Sequence, residues 1–171
     1  IVQSMATHLK NLSDGINEEI PPASDLRFGV VVADRNDSIT GKLEEAALKL
    51  LSAKGAKEAD ILVNHVPGSI ELTLGAQFMA EYQKLDAVIC LGCVIQGETR
   101  HFDYVCDSVT QGITQLNIKY NIPFIYGVLT TDNLDQARER AGGKHGNKGE
   151  EAATTAIRMA HLKRKLQNSY S

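Results

Sequence analysis

Ten consecutive residues, Gly92-Cys93-Val94-Ile95-Gln96-Gly97-Glu98-Thr99-Arg100-His101, bring two glycines, a hydroxyl and a histidine to the start of a long amphipathic stretch. They follow the apolar run of residues 86–91, so the pattern predicts a strand, a glycine turn and a helix start. Backbone N–H groups at a helix start bind anions, and glycine lets that backbone come close, which makes this turn a candidate phosphate cradle. His101 falls in the first turn of the predicted helix, where the macrodipole favours the neutral, proton-accepting imidazole. It suits a general base, and equally a surface or capping histidine.

Gly92 and Gly97 are spaced as in a P-loop, but Glu98-Thr99 stands where that motif needs Lys followed by Ser or Thr. The site therefore fits a single phosphate whose cations come from elsewhere, not a nucleoside triphosphate. One source is Arg140, with its bidentate fork, followed by the glycine-rich basic loop of residues 142–149, where Lys148 offers a point charge. The other reading of that loop is a solvated connection. Glu71 opens a helix behind Pro67-Gly68, where the dipole alone favours an acid, and where a polyol hydroxyl or ring N–H would also find an acceptor. Cys90 and Cys93 have C-x-x-C spacing, which suggests a metal or redox site, but small buried residues explain them better because Cys90 lies in a predicted strand interior.

The elements that position these residues alternate regularly. Strands are expected at residues 28–33, 61–66, 86–91 and 124–129, and helices at residues 39–51, 70–83, 99–119, 134–141 and 148–166, with Gly55 as a helix stop. Thr131-Asp132-Asn133 caps the fourth helix, and Asn147 with Glu150 caps the last. Strict strand-helix alternation implies the α/β class, a three-layer α/β/α stack around a mainly four-stranded parallel sheet. Ligands of such sheets bind outside the carboxyl ends of the strands, where the loops carrying Arg35 and Asn36, Ser69 to Glu71, and Gly92 to His101 converge. Residues 1–27 show little periodicity and read as an N-terminal arm, with residues 28–171 as the single domain; Met5 reads as the native start, with residues 1–4 as a remnant.

A formal net charge of −3 with interspersed charges argues against a dedicated nucleic-acid binder, and no apolar run approaches the ~20 residues of a membrane span. Three clustered cysteines fit a reducing compartment, the cytoplasm by default.

Pro67-Gly68-Ser69-Ile70-Glu71-Leu72, the stretch from Gly92 to Phe102, Gly127-Val128-Leu129-Thr130-Thr131, and Arg140-Ala141-Gly142 with Gly146-Asn147-Lys148-Gly149 together resemble the lumazine synthase family. The resemblance covers residues 28–162 and implies a flavodoxin-like arrangement of the sheet. It also implies an enzyme of riboflavin biosynthesis that condenses 5-amino-6-ribitylamino-pyrimidinedione with 3,4-dihydroxy-2-butanone 4-phosphate, giving 6,7-dimethyl-8-ribityllumazine, phosphate and water without a cofactor. Carried over by position, Gly97, Glu98 and Thr99 match the phosphate turn, Arg140 the phosphate-binding arginine, and His101 the proton-transfer residue. Asn36, Ser69, Ile70, Glu71, Val94 and Ile95 match the pyrimidine and ribityl pocket, and Tyr126 and Lys148 match residues supplied by a neighbouring subunit. The implied partners are the two small-molecule substrates, further copies of the chain in pentamers with sites between subunits, and riboflavin synthase.

The chain departs from the family pattern at two places. Arg35 stands where an aromatic side chain usually stacks on the pyrimidine, and Cys93 stands where threonine is common. The short connection of residues 142–149 resembles family members that form icosahedral shells. Beside the enzyme, two other readings are a lumazine- or flavin-binding paralogue without turnover and a shell protein with a vestigial pocket.

Overall fold

The computed structural model describes residues 19–170, so the expectation for the first part of the arm lies outside the described residues. Four strands, β1 (Phe28–Ala33), β2 (Ile61–Val66), β3 (Ala87–Ile95) and β4 (Phe124–Thr131), form one parallel sheet in the order β2-β1-β3-β4. Helices α1 (Asp37–Ala53), α2 (Leu72–Tyr82), α3 (His101–Tyr120), α4 (Leu134–Glu139) and α5 (Lys148–Asn168) follow the expected alternation. The result is the expected three-layer, flavodoxin-like α/β/α stack.

Strand alternation divides the core. Val30, Val32, Ile89 and Leu91 point to one face and pack with Leu43 and Leu51 of α1 and Ile157 of α5. Val31, Ala33, Val88 and Cys90 point to the other and meet Leu72 of α2 with Val109 and Ile113 of α3. A sheet buried on both sides needs such nearly continuous apolar strands, and each fully buried Leu, Ile or Val contributes roughly 1.5–3 kcal/mol.

Four details differ from the sequence expectation. The core extends upstream of Phe28: Ile20, Ala23 and Leu26 are buried, the Ala23 N–H donates to the Lys54 carbonyl at 2.8 Å, and His161 Nε2 lies 2.7 Å from the Pro22 carbonyl oxygen. Gly92 is a strand residue rather than a turn residue, because pairing with β4 carries β3 on to Ile95. A Cβ at Gly92 would come within 2.9 Å of Leu72 and Ser69, so the glycine admits the β2–α2 turn against the sheet. Finally, α4 stops at Glu139, and the glycine-rich connection is a small antiparallel hairpin, β5 (Ala141–Gly143) with β6 (Gly146–Asn147), in which Gly142 and Gly146 take positive φ. Asn147 caps α5 as expected, accepting from the Gly149 N–H at 2.8 Å, and its amide also donates to the Lys42 carbonyl of α1.

Candidate functional site

α1 leaves β1 toward one face of the sheet and α3 leaves β3 toward the other, so the chain diverges between these two neighbouring strands. Such a switch point leaves a crevice beyond the strands' carboxyl ends. Here it is deepened by unequal strand length. The last β1–β3 pair is Val32 with Leu91, whereas β3 continues alongside β4 to the pair Ile95 with Thr131. The projecting end of β3 backs a cavity of about 490 Å³.

Each wall has a local cause. Arg35 and Asn36 line it from the tight β1–α1 turn, where Asn36 takes a left-handed backbone and its carbonyl accepts from the Ile39 and Thr40 N–H groups to start α1. Ser69, Ile70 and Glu71 form a single 3₁₀ turn before α2, with Ser69 buried and the other two exposed to the cavity. Cys93, Val94 and Ile95 come from β3, and Gly97 and Thr99 from the turn that follows. His101 is the first residue of α3; its N–H lies 3.4 Å from Thr99 Oγ1. Arg35 brings a fixed positive charge to this lining and Glu71 a negative one.

Packing among the described residues does not demand a glycine at position 97. Its backbone is not in the positive-φ region, and a Cβ there would meet none of the described residues within 4 Å. The bare backbone therefore fronts the cavity.

The remaining sequence-derived candidates lie elsewhere in the single chain. Glu98 is exposed and outside the lining. Tyr126 sits on β4, where burial raises its phenol and Thr110 Oγ1 donates to its hydroxyl at 3.4 Å. The Arg140 guanidinium donates to the Gln136 carbonyl at 3.1 Å, and Lys148 Nζ reaches Glu151 at 2.8 Å. These two cations form one unit, because the Lys148 N–H bonds the Arg140 carbonyl across the hairpin at 2.9 Å. Neither Arg140 nor Lys148 is among the residues lining the cavity of its own chain.

Pro67, Gly68, Phe102 and Val105 also line the cavity and are not among the sequence-derived site residues. Phe102 and Val105 form its apolar side wall, and the available signal was the stripe Val105, Val109, Ile113 and Leu116, whose first member rises past the sheet into the cavity. A cluster beside the site also went unread: His65 Nδ1 lies 2.7 Å from Asp34 and Nε2 lies 3.2 Å from Glu44. The C-x-x-C reading fails on geometry, since a strand turns residues three apart to opposite faces. Cys90 and Cys93 belong to different core clusters, and burial pushes their thiols up to about 12 and about 11.

Comparison with known proteins gives one answer. The sequence profile described as 6,7-dimethyl-8-ribityllumazine synthase matches residues 25–164. Proteins of that name from Parabacteroides distasonis, Phocaeicola vulgatus and Cytophaga hutchinsonii are 55%, 53% and 56% identical to the chain. The alignments cover 92%, 96% and 91% of this chain and 99%, 98% and 97% of the respective relatives.

Proposed function

The chain belongs to the 6,7-dimethyl-8-ribityllumazine synthase family, and from that premise we propose how its residues divide the reaction. It is a transferase of riboflavin biosynthesis, condensing the ribitylamino-pyrimidinedione with the butanone phosphate to form 6,7-dimethyl-8-ribityllumazine. The observation that carries the assignment of the site is the cavity at the β1/β3 switch point, which holds a bare glycine turn, a histidine and an acid–base pair of opposite charge in one space.

The pyrimidine ring lies against the projecting end of β3, between Val94, Ile95 and the Arg35 guanidinium, whose planar face can stack on a π-system. Glu71 accepts from ribityl hydroxyls. The phosphate rests on the Gly97–Thr99 turn, whose N–H groups meet its oxygens with no side chain at position 97 in the way. The 5-amino group attacks the ketone and water leaves as the imine forms. His101 then takes a proton from the carbon skeleton as the C–O bond to phosphate breaks, and the second amine closes the ring with loss of another water.

The phosphate still needs a cation, and the hairpin carrying Arg140 and Lys148 lies outside the cavity of its own chain. A second copy supplies it, together with Tyr126. Exposed apolar side chains on α2 and α3, among them Leu74, Phe78, Tyr104 and Ile118, support association of copies. The assembly is a homo-oligomer built from pentamers, with riboflavin synthase as a candidate partner.

The deciding experiment mixes the purified protein with both substrates and follows lumazine absorbance against the uncatalysed background. Saturable acceleration is expected. A background rate from assembled protein that still binds the product would replace the enzyme with a binding paralogue.

A further inference from the structure

β3 outruns β1, so among the described residues its residues 92–95 have a neighbour strand on the β4 side alone. In a parallel sheet the N–H and C=O of one residue face the same neighbour, and successive residues alternate. The Gln96 N–H bonds the Thr131 carbonyl on the β4 side at 2.8 Å, so the Cys93 carbonyl, of opposite parity, faces the place that β1 would fill. The Asn36 side-chain amide donates to it there at 2.8 Å, across 57 residues of chain. Asn36 thus stands in for a missing strand residue.

It does so from a backbone of φ 62° and ψ 45°, a left-handed conformation that asparagine tolerates better than most residues. One residue therefore performs three tasks: it turns the chain out of β1, starts α1 and pins the free edge of β3. By the same alternation the N–H and C=O of Ile95 face the cavity. Their distance from Arg35 depends on the pin.

We propose that Asn36 is a positioning residue of the pyrimidine site, acting through the Cys93 carbonyl to hold Val94 and Ile95 at a fixed spacing from Arg35. This replaces the direct substrate contact expected for Asn36 from the sequence, and it rests on reading the cavity as the pyrimidine pocket.

The test uses the assembled protein with Asn36→Gly, which enters the left-handed region easily but has no amide, and Asn36→Asp, which retains turn and cap chemistry but sets a carboxylate against the Cys93 carbonyl oxygen. Loss of one hydrogen bond should raise the KM for the pyrimidine and the product Kd about two- to tenfold in Asn36→Gly, and further in Asn36→Asp. The KM for the butanone phosphate should stay unchanged. Isotope-edited infrared spectra of ligand-free protein labelled at cysteine carbonyl carbons should show one band rising in frequency in both variants. An unmoved band, an Asn36→Asp protein with wild-type pyrimidine KM, or equal rises in both KM values would overturn the proposal. Wild-type protein without turnover would instead sink the functional reading, while the carbonyl band and product binding would still decide the role of Asn36. Asn36→Gly carries the test alone if Asn36→Asp fails to assemble.

Discussion

Arg35 and Glu71 bring opposite charges to the cavity lining, and in the proposed reading they answer different parts of one substrate. If the guanidinium serves as a flat stacking surface, Arg35→Phe should bind the lumazine product as tightly as wild type or more tightly, measured by fluorescence titration. A large loss would show that Arg35 acts through its charge or its hydrogen bonds. His101→Ala should lower kcat by about 100-fold, the low end for acid–base catalysis, because an amine and a ketone already react with each other. Full kcat across the pH range would dismiss the assignment. That Glu71, Gly97 and His101 would come to one cavity was legible in the sequence, because residue type and position at the strand ends mark them. The pin at Asn36 was not, since it depends on β3 outlasting β1, and pairing with β4 sets that length.

Helices α1 and α5 approach each other closely over the first core cluster, and Gly149 marks the contact: a Cβ there would run into the Leu43 carbonyl. Gly149→Ala should destabilise the protein by about 1–3 kcal/mol through forced separation of the two helices, read as a lower denaturant midpoint. On the other side of α1, His65 of the edge strand β2 bridges Asp34 and Glu44. The hydrogen bond to Asp34 is the largest cause raising its pKa above the ordinary histidine value of 6.5; burial, the next largest influence, opposes it, and Glu44 adds to the rise. A raised folded-state pKa means the stabilisation is fully present below the unfolded value and is lost as pH rises through the folded one. The stability difference between wild type and His65→Gln should therefore be largest near pH 5.5 and shrink by about pH 8, measured by chemical denaturation in 0.15 M salt. A difference that grows with pH would contradict the bridge. Sequence periodicity located these helices and strands, but β3 and β4 each ran further than their apolar stretches suggested, because ladder bonds extend a strand past the residues that bury it.

At the scale of the molecule, one chain lines the crevice with Arg35, Glu71, Val94, Ile95, Gly97 and His101, while Arg140, Lys148 and Tyr126 are not among its lining residues. If a second copy delivers them, Arg140→Ala and His101→Ala subunits should complement each other. Reassembly of an equal mixture should restore about a quarter of the sites, because each draws independently on two copies. Activity no higher than the average of the separate variants would mean that each site is made from one chain. The sequence by itself determined the α/β class, the order of elements, the family and the end of the sheet where the cavity opens, because apolar periodicity and turn chemistry are local properties. Only the tertiary structure decided that Cys90 and Cys93 part to opposite faces, that the core begins before Phe28 and that the hairpin cations lie away from their own chain's cavity. Those facts depend on which segments meet across the sheet, and packing between distant residues settles that.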